Sequence, residues 1–377
     1  MTIAVLFGGM SCEHDISIIT GLHAFHIASI KYNVIPIYID SKGVWWTGKK
    51  YREITNFKDK SNLGGVKVFL KPGDNTLYFK KSKVKCKIDV AIVCCHGLNG
   101  EDGSLQGLLQ LSGIAYTGSS VLSSAVGMDK ITMKRLFSSI DLPIVPYVGF
   151  EKDQFEEEQK LVFKEITDKL TYPLIVKPSN LGSSIGINIV KDGQSLLNAL
   201  NLAFEWDSRV IIENALTDFI EINCAVIGGH NFNLITSELE QPAGVEEFLT
   251  FNDKYSSNGK LQSSRKMPAD LDDCTRQNVR DIAKSAFKIL GCSGVVRCDF
   301  LLTNDEQTGQ KTMYINEVNT IPGLLSSYMF EHNGFMSKLS LLENLILIAL
   351  QEKQQRQSFR YSYYSNVLLD TTKIAKK

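Results

Sequence analysis

The strongest constraint on the fold lies in the first third of the chain, where apolar runs of strand length alternate with segments of helical period. Ile3–Phe7 reads as a buried strand running into Gly8-Gly9, Ser17–Ile30 as a helix, and Val34–Ile39 and Val90–Cys95 as further strands. Helical spacing returns at Leu105–Ser112. This β-α-β order implies a parallel sheet covered by helices, since parallel neighbours cannot be joined by a tight turn. The lysine-rich stretch Trp45–Lys87 reads as a peripheral β excursion from that sheet.

Further along, the pattern changes. Tyr172–Pro178 is a strand bounded by prolines, followed by the loop Gly182-Ser183-Ser184-Ile185-Gly186, a strand over Gly186–Val190, a helix over Gln194–Phe204 and a strand at Val210–Glu213. A third unit has strands at Cys224–Gly228, Asn233–Glu238, Val295–Leu301 and Thr312–Val318, with helices at Cys274–Leu290 and Lys338–Ala349. The expected fold class is α/β, with an α+β C-terminal part. The division is 1–125 (a parallel βα sheet), 126–213, 214–350 (with a polar, closing loop at 244–264) and an appended tail at 351–377.

Lys and Arg together number 41, as do Asp and Glu, so the net charge is zero. Nucleic-acid and anionic-membrane partners normally require a basic excess, so neither is expected. No apolar run reaches the roughly 18 residues that span a bilayer. The eight cysteines include no Cys-x-x-Cys, and several, such as Cys94-Cys95, sit in apolar runs. They read as small core residues of a reduced, cytoplasmic protein.

The chemistry-bearing residues are hard oxygen donors and cations. In Glu317-Val318-Asn319 the two polar side chains share one face of a strand, and Asp299 on a neighbouring strand would complete a set of donors suited to Mg²⁺. Arg297, two residues before Asp299, points the same way. It would serve an anion or pair with a carboxylate. Lys177 ends an apolar strand next to the Gly-Ser-Ser turn, where backbone N–H groups and an ammonium together suit phosphate. Lys130 and Lys254 read in isolation as solvated lysines. Glu13 follows the first glycine turn, where a carboxylate would hold a substrate ammonium or simply complement a helix dipole. Asp102 would line the same sheet edge or cap the helix that follows it.

Taken in order, the motifs resemble the D-alanine–D-alanine ligase family of ATP-grasp enzymes from Ile3 to about Leu350. They are Gly8-Gly9-x-Ser11-x-Glu13-x-x-Ile16-Ser17, His96-Gly97-x-x-Gly100-Glu101-Asp102-Gly103, Tyr116-Thr117-Gly118, Met128-Asp129-Lys130, Pro173–Pro178, Gly182–Gly186, Asp253-Lys254-Tyr255, Arg297-x-Asp299 and Glu317-Val318-Asn319-Thr320-x-Pro322-Gly323. The resemblance implies a three-domain ATP-grasp ligase acting through an acyl phosphate. Glu13 would hold the ammonium of the first D-alanine, linked through Ser183 to Tyr255 on the closing loop. Lys130, Lys177, Ser184 and Lys254 would contact ATP phosphates. Glu213, Leu216, Phe248 and Glu221 would hold the adenine and ribose. Asp299, Glu317 and Asn319 would bind two Mg²⁺ ions, or Mn²⁺ in their place, and Arg297 with the Gly323 backbone would steady the oxyanion. The family further implies a homodimer acting in cell-wall peptidoglycan synthesis. Ser326-Ser327-Tyr328-Met329 departs from the family's Ser-His-Ser-Leu, so Tyr328 removes a serine expected to bind the second amino acid's carboxylate. D-Alanine is expected as that second amino acid, with D-serine as the alternative.

Overall fold

Thr2–Gly8 (β1) lies near one end of an eight-stranded sheet of spatial order β6-β5-β4-β3-β2-β1-β7-β8. Its other strands are β2 (Asn33–Ile39), β3 (Trp45–Thr47), β4 (Val66–Lys71), β5 (Asp74–Phe79), β6 (Lys85–Lys87), β7 (Val90–Val93) and β8 (Ala115–Tyr116). The computed structural model describes residues 1–58, 64–242, 265–304 and 311–363. As the alternation requires, β1 pairs in parallel with β2 and β7, and β7 with β8. The helix α1 (His14–Ser29) makes the β1–β2 crossover. It lies so close to the strand that a Cβ at Gly21 would fall 2.2 Å from the Phe7 Cβ. The lysine-rich excursion supplies β3 to β6 as an antiparallel extension.

Helices α2 (Ser104–Leu111), α3 (Val121–Met128) and α4 (Lys130–Ser138) lead to a four-stranded antiparallel sheet. Its order is β11-β10-β12-β9, with β9 at Tyr147–Glu151, β10 at Leu174–Pro178, β11 at Asn188–Val190 and β12 at Arg209–Asn214. Helices α5 (Lys152–Glu157), α6 (Gln159–Lys169) and α7 (Gly193–Ala203) belong to this unit, and Val162, Ile166, Leu196 and Leu200 bury its apolar face. A second antiparallel sheet follows, ordered β14-β13-β15-β16 over Phe219–Gly229 (β13), Phe232–Glu240 (β14), Gly294–Asn304 (β15) and Lys311–Asn319 (β16). Helix α8 (Asp273–Ile289) packs on it, as do Met133 and Phe137 of α4.

The chain ends with α9 (Ser327–Glu331) and α10 (Lys338–Ser358). The helix expected over Lys338–Ala349 thus continues to Ser358, and Gln351–Ser358, read from sequence as tail, forms its last two turns. Gln, Lys and Arg are good helix formers, so a stretch without apolar period continues a helix already nucleated by packing. Glu352 fixes this end by accepting from His230 N at 2.9 Å and Ser293 Oγ at 3.1 Å. Earlier in α10, Leu341, Leu342 and Leu345 join the core of the N-terminal sheet. The first and last units therefore share one apolar core. Among the described residues no helix is long and apolar enough to cross a membrane, and all eight cysteines are free thiols.

Candidate active site

Strand register builds the first part of the site. Asp299 stands opposite Glu317 and Arg297 opposite Asn319 across the β15–β16 pair, and Asp299 faces Asn223 on its other side. Residues directly opposite in a ladder share a face, as do residues two apart on one strand. The Arg297 guanidinium grips Asp299 with both prongs, Nε to Oδ1 at 2.6 Å and Nη2 to Oδ2 at 2.7 Å. Burial would lower Arg297, but Asp299 outweighs it and holds the guanidinium firmly charged. Of the two roles open to Arg297 in the sequence, pairing with a carboxylate is the one seen. Asn319 Nδ2 donates to Asp299 Oδ2 at 2.9 Å. The Asn223 amide, oriented with its nitrogen toward the acids, donates to Glu221 Oε1 at 3.3 Å and Asp299 Oδ1 at 3.1 Å.

Asp299, Glu317 and Asn319 therefore converge as their spacing predicted. Among the described residues no group of three His, Cys, Asp or Glu side chains converges as a metal cluster. Two carboxylates and one amide oxygen are nonetheless a donor set that fits Mg²⁺, which keeps most of its coordination for phosphate oxygens and water.

The cations form a second cluster. Glu213, at the end of β12 and only 2% exposed, lies between Lys177 (6%) and Lys134 (1%). Its Oε2 is 2.5 Å from Lys177 Nζ and its Oε1 2.5 Å from Lys134 Nζ. Burial would raise the Glu213 carboxyl, but the two lysines override it and hold it down at about 2. Burial dominates at Lys134 and lowers it, against the pull of Glu213. One carboxylate against two ammoniums leaves a buried positive excess, an environment that favours an anion. Lys134 was missed in the sequence. It sits between Met133 and Phe137 on α4, four residues after Lys130, and a lysine on an otherwise buried helix face is the signal that would have found it.

Lys130 Nζ donates to Leu181 O at 2.7 Å and stands 3.8 Å from Glu317 Oε2. It thereby ties Glu317 of β16 to the Gly-Ser-Ser loop. In that loop Ser183 Oγ donates to Glu13 Oε1, joining the N-terminal and central units. Glu13 is the N-cap residue of α1 but makes no side-chain capping bond, so its carboxylate faces outward rather than serving the helix. Glycines crowd it: a Cβ at Gly97 would lie 2.8 Å from Glu13 Oε2 and one at Gly182 3.2 Å from it. Ser183 and Ser184 hold left-handed backbone, with φ of 56° and 59°. Such conformations persist where surrounding contacts over-determine them, and they gather at functional sites.

The segment after the acids is strained too. Leu324, Leu325 and Ser326 have φ of 52°, 53° and 50°, where left-handed backbone costs roughly 1–2 kcal/mol per residue. Ile321 N donates to Glu101 Oε1 at 2.8 Å and Leu324 N to Thr20 Oγ1 at 3.1 Å, so the N-terminal unit holds the turn in place. Gly323 has room beside it, since an added Cβ would meet nothing within 4 Å. Burial, with Glu13 adding to it, pushes the Glu101 carboxyl up to about 8. Glu101 lay in a motif but had no assigned role; its second oxygen accepts from Gly97 N at 2.9 Å. Asp102 takes Asn99 N at 2.7 Å and Ser104 N at 2.9 Å, ordering the turn before α2.

Because the folded-state value of Glu101 is raised, its contribution to stability is full below the ordinary carboxyl value of 4.5 and is lost as pH climbs through about 8. The melting temperature of the wild type is expected to fall across that window, and Glu101→Gln to flatten the fall. Thermal melts at a series of pH values check this, and equal slopes in both proteins would contradict it.

A pocket lies between the Glu13 turn and the end of β16, lined by Glu13, Glu101, Lys130, Gly182, Glu317 and Asn319 among others. Leu216 follows β12 and is half-buried, and Glu221 shares the face of Asn223 on β13. Phe248, Lys254, Tyr255 and the closing loop at 244–264 lie outside the described residues, apart from the position numbers they occupy in the sequence.

A mixed α/β fold whose C-terminal sheets gather carboxylates and lysines around one site is that of an ATP-grasp carboxylate–amine ligase. Solved structures with this fold include the D-alanine-D-alanine ligase from Coxiella burnetii, with TM-score 0.79, 27% identity and coverage of 100% of this chain and 99% of that one. VanG D-Ala:D-Ser ligase from Enterococcus faecalis has TM-score 0.76 and 34% identity, covering 92% and 99%. Residues 2–119 match the D-ala D-ala ligase N-terminus and 136–346 the D-ala D-ala ligase C-terminus. The D-alanine--D-alanine ligase of Thermosipho africanus is 37% identical over 97% of this chain and 98% of its own length. That of Staphylococcus epidermidis is 35% identical over 95% and 98%. The chain belongs to the D-alanine–D-alanine ligase family.

Proposed function

We propose that this protein joins two D-alanines to D-alanyl-D-alanine at the expense of ATP, supplying the dipeptide for peptidoglycan, as a cytoplasmic homodimer. The observation that carries the reading is the pocket in which Glu13, itself hydrogen-bonded by Ser183, meets Lys130, Glu317 and Asn319. On this reading Glu13 is the carboxylate for the ammonium, Lys130 the cation for phosphate and Glu317 the acid for the metal.

In the first step a carboxylate oxygen of the first D-alanine attacks the terminal phosphorus of ATP, and the bond to ADP breaks. In the second, the amine of the second D-alanine attacks the acyl carbon. The C–N bond forms, the C–O bond to phosphate breaks, phosphate leaves and the nitrogen loses a proton. Glu13 orients the first amino acid through its ammonium. Lys130 and Lys177, with the backbone at Ser184, hold phosphate oxygens, and the Lys134–Glu213–Lys177 cluster adds the positive field. Asp299, Glu317 and Asn319 would hold Mg²⁺, which when bound neutralises phosphate charge. Arg297 and the Gly323 N–H face the oxyanion of the second step. Most of the catalysis on this reading is alignment and charge compensation.

Similarity to VanG D-Ala:D-Ser ligase, together with Tyr328, keeps D-serine as the second reading for the acceptor. Coupled phosphate release and mass spectrometry of the products, with D-alanine alone and then with D-serine added, decide between the two. D-Alanyl-D-alanine is the expected product. No phosphate release with either amino acid would overturn both readings.

Glu13→Gln is expected to raise the KM for the first D-alanine by about ten- to a hundredfold, the usual effect of losing a charge-assisted contact. Initial rates over a range of D-alanine concentrations check this, and an unchanged first KM would remove Glu13 from the ammonium site.

A further inference from the structure

Beyond the acids and lysines above, a separate charged cluster sits on the same face of the C-terminal sheet. Glu240 ends β14 and is 3% exposed. It stands opposite Asn223, which in turn stands opposite Asp299, so Glu240 extends the row of Asn223, Asp299 and Glu317 across the sheet. A buried carboxylate is costly unless it is paired, and Glu240 has two partners. Tyr328 donates its hydroxyl to Glu240 Oε2 at 2.8 Å, and Arg265 Nη1 lies 3.2 Å from Oε1. The Arg265 guanidinium also lies over the Tyr328 ring, 4.7 Å from its centroid.

The backbone fixes this arrangement. Gln241 and Lys266 exchange both bridge hydrogen bonds at 2.9 Å, which puts Arg265 and Glu240 on one face, diagonally across the bridge. Tyr328 is carried on α9, directly after the turn that begins at Gly323. Arg297 lies close enough to Tyr328 that each influences the other's charge. The cluster therefore continues the row of Asp299 and Asn223 across the sheet, and its tyrosine follows the turn whose backbone is assigned to the oxyanion.

An acceptor amino acid brings a carboxylate that must be neutralised and aimed. The residue that would supply a serine hydroxyl for it is Tyr328, whose hydroxyl is committed to Glu240. We propose that Arg265 binds the carboxylate of the acceptor amino acid, with Glu240 as the positioning residue that aims the guanidinium and Tyr328 as the plate on which it rests. A guanidinium is suited to this, because its planar fork can bind one carboxylate while keeping a second partner and a ring contact. The proposal rests on the ligase reading above.

Hydroxylamine separates the two. It carries no carboxylate, and its nitrogen attacks the acyl carbon of the acyl phosphate, forming C–N, breaking C–O and releasing phosphate and a proton to give D-alanyl hydroxamate. The full-length protein is incubated with ATP, D-alanine and hydroxylamine, and both products are quantified from the same mixture. In Arg265→Met the ratio of dipeptide to hydroxamate is expected to fall about ten- to a hundredfold, as for loss of a charged hydrogen-bonded pair. In Arg265→Lys, which keeps the charge and is read in the same way should the methionine variant fail to fold, the ratio is expected to fall less. A ratio unchanged from wild type in these variants, whether the rates hold or drop together, overturns the role of Arg265. Absence of both products in the wild type instead overturns the ligase reading itself.

Discussion

Glu213→Gln is expected to destabilise the protein by about 3–5 kcal/mol, the range for removing one partner from a buried ion pair. The amide keeps the shape of the side chain but leaves Lys134 and Lys177 facing each other without a counter-charge in a site that is almost fully enclosed. Urea unfolding of wild type and variant under the same conditions measures this. A difference below about 1 kcal/mol, the level of an exposed ion pair, would show that solvent reaches the cluster. The same group sets an acid limb. Its folded-state value is depressed to about 2, so its contribution is present above the ordinary 4.5 and is lost as pH falls toward about 2. In the variant this part of the acid sensitivity should disappear.

Glu317→Gln is expected to lower turnover by about a hundred- to a thousandfold, the size of effect seen when a preorganised charge-stabilising group is removed from an active site. Unlike Glu213, the Glu317 side chain is 28% exposed, and its contact with Lys130 is long at 3.8 Å. The fold should therefore tolerate the change while the chemistry does not. The discriminating measurement is turnover against Mg²⁺ concentration alongside a thermal melt. The variant should need far more Mg²⁺ at an unchanged melting temperature. Undiminished turnover at ordinary Mg²⁺ would remove Glu317 from the metal site.

The two variants separate stability from function within the candidate site, and they differ in how legible their positions are in the sequence. Glu317 and Asn319 are two apart on a strand, as are Arg297 and Asp299, so their common face follows from the strand period alone. The partnership of Glu213 with Lys134 does not follow from any local period. It joins the end of a strand to a helix that is bounded by a different core, and Lys134 reads in isolation like any lysine on a helix. The pairing of Ser183 with Glu13 was implied by family resemblance, and no spacing within the chain could have given it, since 170 positions separate the two. Glu240 and Arg265 carried no signal at all. Glu240 is the last residue of an ordinary strand, and only the bridge from Gln241 to Lys266 sets Arg265 beside it. Helix α10 runs past its apolar period because its final turns have no apolar face and are held instead by single polar contacts such as that of Glu352 with His230.

By itself the sequence determined the parallel order of the first sheet, the strands that carry the acids, the glycine turns around Glu13 and the membership of a ligase family. These properties depend on residues near one another along the chain, where the periods of strand and helix dictate which side chains share a face. Only the tertiary structure decided which charges neutralise one another: Arg297 with Asp299, Glu213 with two lysines, Glu240 with Tyr328 and Arg265. Electrostatic pairing in a buried site depends on distance and solvent exclusion in three dimensions, and neither quantity is written in the order of the residues.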